Sequence, residues 1–361
     1  MPIPLRWRAT ALLLLAACAH EAPPDPVIGG LDSLPDPAPP VRLTLNPASD
    51  VAPAWTPDGG GIWYSFERLD RADHDLCLGL IRPTGGTRER EVCHTNPAAN
   101  PDSVNRYLWA APHRDGRRVA WFRLSAGRGS PLSFPFAGEV VLGTFGPDGT
   151  LTRVDSIRAF PFQVAPGHYH QQPERLQWAD DSTLVYLAVL VAVEFGQALP
   201  QDTLYSGVEI GTLRLTPSGT EAGYIPGTAG ASGLSVARDG AIYFTLNGDN
   251  RIFRTGLAGT AIDTVFDLGP GTTIARDPMV LDTVAYAIVD GDVTYRYLAN
   301  LGSIQSDGGG DLWRVTLTTR ARLDSTRRWR HPVVSPDGSR LVAEGRDNAT
   351  GLNDLYLMRT P

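Results

Sequence analysis

The chain has no lysine: every one of the 32 residues counted as Lys or Arg is an arginine. Schiff-base and lysine general-base chemistry are therefore excluded, and so is a P-loop, whose lysine must reach the phosphates. The apolar run near the N-terminus, Ala11 to Ala17, falls well short of the roughly 20 residues a membrane-spanning helix needs. No Gly-x-Ser-x-Gly elbow of a serine hydrolase is present. Basic residues do not outnumber acidic ones: 32 stand against 39, for a net charge of −7, and this leaves no electrostatic case for nucleic acid. Cysteine is scarce, with three in 361 residues.

What is abundant is turn chemistry, with 38 glycines and 30 prolines, as an all-β fold with many short connections requires. Two stretches are built alike. His331-Pro332-Val333-Val334-Ser335-Pro336-Asp337-Gly338 leads into Leu341-Val342, and Ala52-Pro53-Ala54-Trp55-Thr56-Pro57-Asp58-Gly59 leads into Ile62-Trp63-Tyr64. In each, Pro pre-sets φ near −65°, Asp can accept from the backbone just ahead of it, and Gly takes the left-handed position that closes a hairpin. Worn copies lie between: Trp109 to Gly116, Leu176 to Ser182, Leu234 to Gly240, and Pro278 to Thr283. The copies recur roughly every 45–65 residues, close to the periods expected of propellers. Six copies imply six four-stranded antiparallel blades.

These Trp-Thr-Pro-Asp-Gly and Val-Ser-Pro-Asp-Gly hairpins resemble the repeat of TolB-like six-bladed β-propellers, over about residues 41–361. The resemblance implies an all-β ring and, for function, protein association in the bacterial envelope. It does not fix the function, because propellers serve as binding platforms, as accessory domains and as enzymes.

Residues 1–17 read as a secretory leader, with Arg6 and Arg8 as its positive region. Leu15-Ala16-Ala17-Cys18 resembles the bacterial lipobox, which implies lipidation at Cys18; the alternative is an ordinary leader cleaved near Ala17. Ala19 after the cysteine implies the outer membrane, on its periplasmic side, with secretion or the cell surface as the other destination. Residues 18–40 form a Pro-rich tether, and 41–361 a single propeller expected to be monomeric. Residues 41–45 have no partners of their own, and the last blade lacks an outer strand. They are expected to close the ring by pairing two exposed edges.

The blades are expected at about 51–95, 104–157, 174–221, 232–267, 277–322, and 330–358 with 41–45. Pairing across Pro83-Thr84-Gly85-Gly86 puts Cys77 opposite Cys93, within disulfide range, and an oxidising periplasm allows the bond. Two free buried thiols are the alternative. Turns between first and second strands are tight, whereas second-to-third turns and crossovers are long, notably Arg68 to Asp75, Ala126 to Gly138, Glu194 to Ser206, Asp290 to Gly310 and Asp347 to Asn353. Binding is therefore expected on the loop-rich face.

The candidate ligand-binding residues are His94, His168, Tyr169, His170, Arg328, Trp329 and His331, all assigned to crossovers. His168 and His170 point the same way in extended backbone and can ligate one metal, with His94 or His331 as a third ligand; with no nearby Glu or Cys to complete a motif, ordinary loop histidines making hydrogen bonds are the reading preferred. Arg327-Arg328-Trp329-Arg330 suits carboxylates, sugars or an acidic peptide, unless Trp329 simply packs between blades. Asp58, Asp115, Asp239 and Asp337 are turn residues, and Trp55, Trp109 and Trp178 are inter-blade core. Calcium at Asp347-Asn348 with Asn353-Asp354, or at Asp290 with Asp292, lacks the spacing of a calcium loop. No catalytic residue, metal or cofactor is assigned. The expected function is a binding platform for an envelope protein, peptide or glycan. The alternative is a carbohydrate-active, lyase-like enzyme using channel-mouth histidines.

Overall fold

A computed structural model describes residues 39–69, 76–94, 103–127, 137–160, 162–193, 203–270, 276–289, 309–346 and 352–360. Cys18 and the tether up to residue 38 lie outside them. So do most of the five long turns and the acidic positions Asp290, Asp292, Asp347 and Asn348.

All regular elements among the described residues are β-strands, and the fold is a β-propeller. Blade one is Asp50–Trp55, Ile62–Glu67, Leu76–Ile81 and Arg90–Val92. Blade two is Ser103–Pro112, Arg118–Gly127, Ala137–Phe145 and Leu151–Phe160. Blade three is His168–Trp178, Thr183–Val193, Thr203–Thr216 and Gly219–Tyr224, with Phe162–Ala165 added beside its first strand. Blade four is Ala231–Val236, Ile242–Leu246, Arg251–Thr255 and Asp263–Asp267. Arg276–Leu281, Val284–Val289 and Gly310–Thr316 begin blade five, and Arg340–Arg346 with Asn353–Arg359 end blade six. One strand, Arg320–Val334, serves both: its first part pairs with Gly310–Thr316 and its last part with Arg340–Arg346.

The second strands are nearly continuous apolar runs, as in Ile62-Trp63-Tyr64-Ser65-Phe66, because both of their faces are covered. The core accordingly lies between blades rather than within them. Trp63 and Leu80 of blade one pack with Trp121 and Phe145 of blade two. Phe122 and Val140 pack with Leu184 and Tyr186, joining blades two and three. Leu187 and Ile210 join Ile242 and Phe244 of blade four, and Ile252 and Phe266 join Ala285 and Val315 of blade five. Ile288 and Leu312 meet Trp329 and Leu341 of blade six. Val342, Leu355 and Leu357 return to Ile62, Tyr64 and Phe66 of blade one, which closes the circle.

Val41–Arg42 pairs antiparallel with the last strand, Val41 opposite Leu357 and Arg42 opposite Tyr356. The pairing runs on irregularly: Leu43 N donates to Leu355 O at 2.7 Å, Leu355 N donates to Thr44 Oγ1 at 3.0 Å, and Arg42 bridges Asp354 at 2.7 Å. In blade one Leu78 stands opposite Val92, so Cys77 faces Cys93, with Cα atoms 4.6 Å apart and sulfurs at bonding distance.

The turn aspartates behave as their positions demand. Asp58 Oδ1 accepts from Thr56 Oγ1 at 2.6 Å and from Gly60 N at 3.0 Å, while Gly59 takes φ 70°. Asp337 accepts from Ser335 and Ser339, Asp115 from Arg117 N, and Asp239 from Ala241 N. Two segments differ from the sequence reading. Gly167 to Gln172 lies largely in blade three's first strand, because Phe162 pairs with His170 and supplies the apolar neighbour that the polar run lacks. Arg327 to Arg330 is strand as well, continuous across two blades and bent at His331, where φ is 48°.

Candidate axial site

Each first strand carries a register shift near its middle. A bulge of this kind turns one residue left-handed and re-aims it. Ala52, Trp109, Arg175, Asp277 and His331 have φ between 48° and 58°. Positive φ is uncommon outside glycine, and its repetition in five blades at equivalent places points to function rather than accident. Blade four has Gly233 there. A Cβ on Gly233 would sit 2.5 Å from Asp277 N and 2.6 Å from Pro278 Cδ, so only glycine fits.

Five blades meet through these residues. Arg175 of blade three reaches past Gly233 and pairs with Asp277 of blade five; both are buried. Asp277 Oδ2 accepts from the His331 backbone N–H of blade six at 3.1 Å, and the His331 Nε2 atom lies 3.6 Å away. His331 Nδ1 makes a short hydrogen bond to Glu344, which also accepts from Ala52 N of blade one at 2.6 Å. Trp109 of blade two meets the His331 ring edge-on at 4.7 Å, and the Arg175 guanidinium lies 5.3 Å from the Trp109 ring centre. Burial alone would raise the Asp277 pKa, but Arg175, His331 and Arg276 outweigh it and hold the carboxyl far below its usual range. Glu344 is likewise lowered against its burial, by His331 and Arg330. The result is a charged brace spanning the axis.

Above the brace lies a cavity of about 500 Å³ with walls from all six first strands. Its wall is mainly apolar, including Pro53, Trp55, Ala110, Trp178, Val236 and Met279, and Trp109, Arg175 and His331 form its floor. It widens to the tight turns, where Pro57, Arg114, Asp180, Arg238 and Pro336 form the rim. Hydrogen bonds between blades hold the wall: Trp55 Nε1 donates to Val333 O at 3.0 Å, Trp178 Nε1 to Ala111 O at 2.9 Å, and Gln177 Nε2 to Leu234 O at 3.2 Å. The cavity therefore opens on the plain face, opposite the one expected from loop lengths.

Of the candidate ligand-binding residues named from sequence, only His331 joins this site. His94 is half-buried, edge-on to Tyr107 at 6.4 Å. His168 engages its own Pro166 carbonyl at 2.9 Å. His170 is fully buried inside blade three, where Nε2 meets Glu209 at 2.6 Å and Nδ1 meets the Tyr186 hydroxyl at 3.0 Å. Tyr169 stands opposite Gln163, and Arg328 opposite Arg346. Trp329 is fully buried and edge-on to Tyr356 at 5.4 Å, so its indole is core between blades and not a ligand contact. Among the described residues no group of three or more His, Cys, Asp or Glu is arranged to hold a metal ion. Arg175, Asp277, Glu344 and the floor role of Trp109 were not anticipated. A signal existed: the residue six places before the turn aspartate, or five where that aspartate is Asp180, reads Ala52, Trp109, Arg175, Gly233 and His331, an unlike and partly charged set where a core would be uniformly apolar.

No family model matches the sequence, and none of the curated proteins does. Solved structures do match in fold. A luciferin-regenerating enzyme aligns with a TM-score of 0.50 at 11% identity, covering 90% of this chain and 96% of its own. The β-propeller domain of the Trilobed protease from Pyrococcus furiosus aligns at 0.46 and 11% identity, over 86% and 95%. TolB from Acinetobacter baumannii aligns at 0.43 and 13% identity, over 87% of this chain and 64% of its own. The first of these likenesses concerns the fold alone.

Proposed function

We propose that the protein is a non-enzymatic binding platform of the bacterial envelope, anchored through lipid at Cys18 to the periplasmic side of the outer membrane, and that its partner enters the axial cavity. The observation that carries the reading is the character of that cavity. Proline, alanine, valine and tryptophan side chains wall it, stapled blade to blade, and the charged groups at its floor are held in place by one another. Such a surface holds a ligand by shape and exclusion of water, and it keeps the same form when empty. The lipobox-like Leu15-Ala16-Ala17-Cys18 and the Pro-rich tether support the envelope setting. The described chain starts at Pro39 on the tight-turn face, so tether and cavity leave from the same side.

Two measurements test this. Labelled palmitate should enter the wild-type protein and not Cys18→Ser. A photo-crosslinking residue at Pro57, on the rim, should give a defined adduct in intact envelopes, and one at Leu317, exposed on the outer rim of the same face, should not. Filling the cavity with Ala54→Trp should abolish the Pro57 adduct. An adduct that survives the filled cavity would place the partner elsewhere.

A further inference from the structure

We infer that the axial cavity is a receptor for the C-terminal carboxylate of an apolar peptide tail, with Arg175 as the group that receives it. The inference rests on the platform reading above and names the ligand of that site.

Three observations lead to it. The first is the guanidinium. Arg175 is 9% exposed, lines the cavity, and gives one nitrogen, Nη2, to Asp277. A guanidinium has five N–H donors in a planar fork that matches a carboxylate with two parallel hydrogen bonds. The Arg175 fork is held in place by Asp277 on one side and by the Trp109 ring beside it, and its remaining donors are left for a ligand. Pre-organisation of this kind spares the ligand the entropy of ordering a long side chain.

The second is the wall. Above the charged floor every blade presents apolar side chains, so the body behind the carboxylate must be apolar too. The third separates a peptide from a plain hydrocarbon acid. Asp50–Trp55 and Arg276–Leu281 are end strands of their sheets and line the cavity, so backbone groups on their outer edges face it. Elsewhere side chains take such groups: Gln177 holds Leu234 O and Val236 N, and Glu344 holds Ala52 N. Edge backbone calls for amide groups spaced along the ligand, which a peptide has and a hydrocarbon lacks. The brace blocks further travel along the axis, so the chain end stops there while the rest leaves between Pro57 and Pro336 at the open rim.

The experiment is calorimetric titration of the full chain, in non-ionic detergent, with N-acetyl-Ala-Val-Leu bearing a free C-terminus, with its C-terminal amide, and with 3-phenylpropionate. The free peptide acid should bind, the amide at least tenfold more weakly, and 3-phenylpropionate between the two. Arg175→Gln should cost the acid at least tenfold and leave the amide unchanged. Because Arg175→Gln leaves Asp277 buried without its cation, the double variant Arg175→Gln/Asp277→Asn provides a matched neutral floor and should show the same loss. Ala54→Trp, which leaves the floor intact, should remove binding of all three. Equal affinity for acid and amide, or an acid affinity that Arg175→Gln does not change, overturns the inference. Tighter binding of 3-phenylpropionate than of the peptide acid overturns the peptide assignment. If no acid binds while the Pro57 adduct still forms and is lost on cavity filling, the carboxylate inference falls and the platform reading stands. If the acids bind and are converted, as seen by NMR of the titrated ligand, the platform reading falls and the carboxylate site stands.

Discussion

Among the described residues two histidine–glutamate pairs occur, and their contrast shows what makes a buried polar pair a site. In blade three, His170 binds Glu209 through Nε2 and Tyr186 through Nδ1, under Phe160 and Phe162. Both ring nitrogens are used, the ring is fully buried, and the pair locks three strands and the added edge strand. In blade six, His331 binds Glu344 through Nδ1, but Nε2 stands 3.6 Å from Asp277, beyond hydrogen-bond length, on the floor of a cavity. The residue types match; the second nitrogen's surroundings do not. A strained backbone marks the difference as well, since φ is positive at His331 and not at His170.

The sharpest way to break the contrast is at the axis. Asp277→Ala leaves Arg175 buried without its counter-charge and should cost about 3–5 kcal/mol in urea unfolding. Replacing both partners with leucine should cost less than the single change, because no buried charge is then left alone. A single change that costs under about 1 kcal/mol would mean the brace does not hold the blades.

A further buried carboxylate extends the comparison, because burial outweighs the groups that would hold it charged. Asp50, fully buried at the start of blade one, accepts from Asn46 at 3.2 Å, and its pKa is pushed up to about 7, chiefly by burial. The folded state therefore keeps a proton that the unfolded chain releases near pH 4, so this group's contribution to stability declines as pH rises from about 4 through 7. Its full size is about 4 kcal/mol at most, from a displacement of about three pKa units. Asp50→Asn should remove that decline: the stability difference between variant and wild type, measured in urea at pH 5 and pH 8, should favour the variant more at pH 8. An identical difference at both pH values would show that Asp50 does not titrate there.

The Cys77–Cys93 contact, with its sulfurs at bonding distance, sets a scale for the non-covalent ones. Thiol titration of a protein lacking Cys18 should find no free thiol before reduction, and Cys77→Ser/Cys93→Ser should lose about 3 kcal/mol, as expected for a loop of this length. Two titratable thiols after oxidising purification would remove blade one's clasp from the account. The smallest effect belongs to the sealed pair. His170→Gln keeps one of two hydrogen bonds and should cost about 1–2 kcal/mol, with no change in ligand affinity at the axial cavity. A change in that affinity would tie the two histidines into one unit and dissolve the contrast.

These pairs also show how far the sequence could be read. The Pro-Asp-Gly hairpins pointed to the propeller because turn chemistry is local: Asp58 and Asp337 bond to neighbours two residues away. The Cys77–Cys93 juxtaposition followed from counting across one turn. The axial site was not legible in the same way, because its members lie far apart in the chain: Arg175 and Asp277 are separated by 102 residues, and Ala52 and Glu344 by 292. Loop length pointed to the other face, since long connections stand out in sequence whereas a bulge of one residue does not. His170 and Trp329 looked chemical because neither the ring of phenylalanines around one nor the tyrosine beside the other is near in sequence.

The closing strand has a mechanical consequence. Val41–Arg42 runs from the tight-turn face inward along the last strand, and the N-terminal segment of the chain is attached ahead of Val41. A pull on that segment, from an anchored end or a partner in motion, loads the strand lengthwise. The bonds at Val41, Arg42, Leu43 and Thr44, with the Arg42–Asp354 bridge, then bear the force together in shear instead of parting one after another like a zip. A clasp only a few residues long is thus set in the direction in which it is hardest to pull apart.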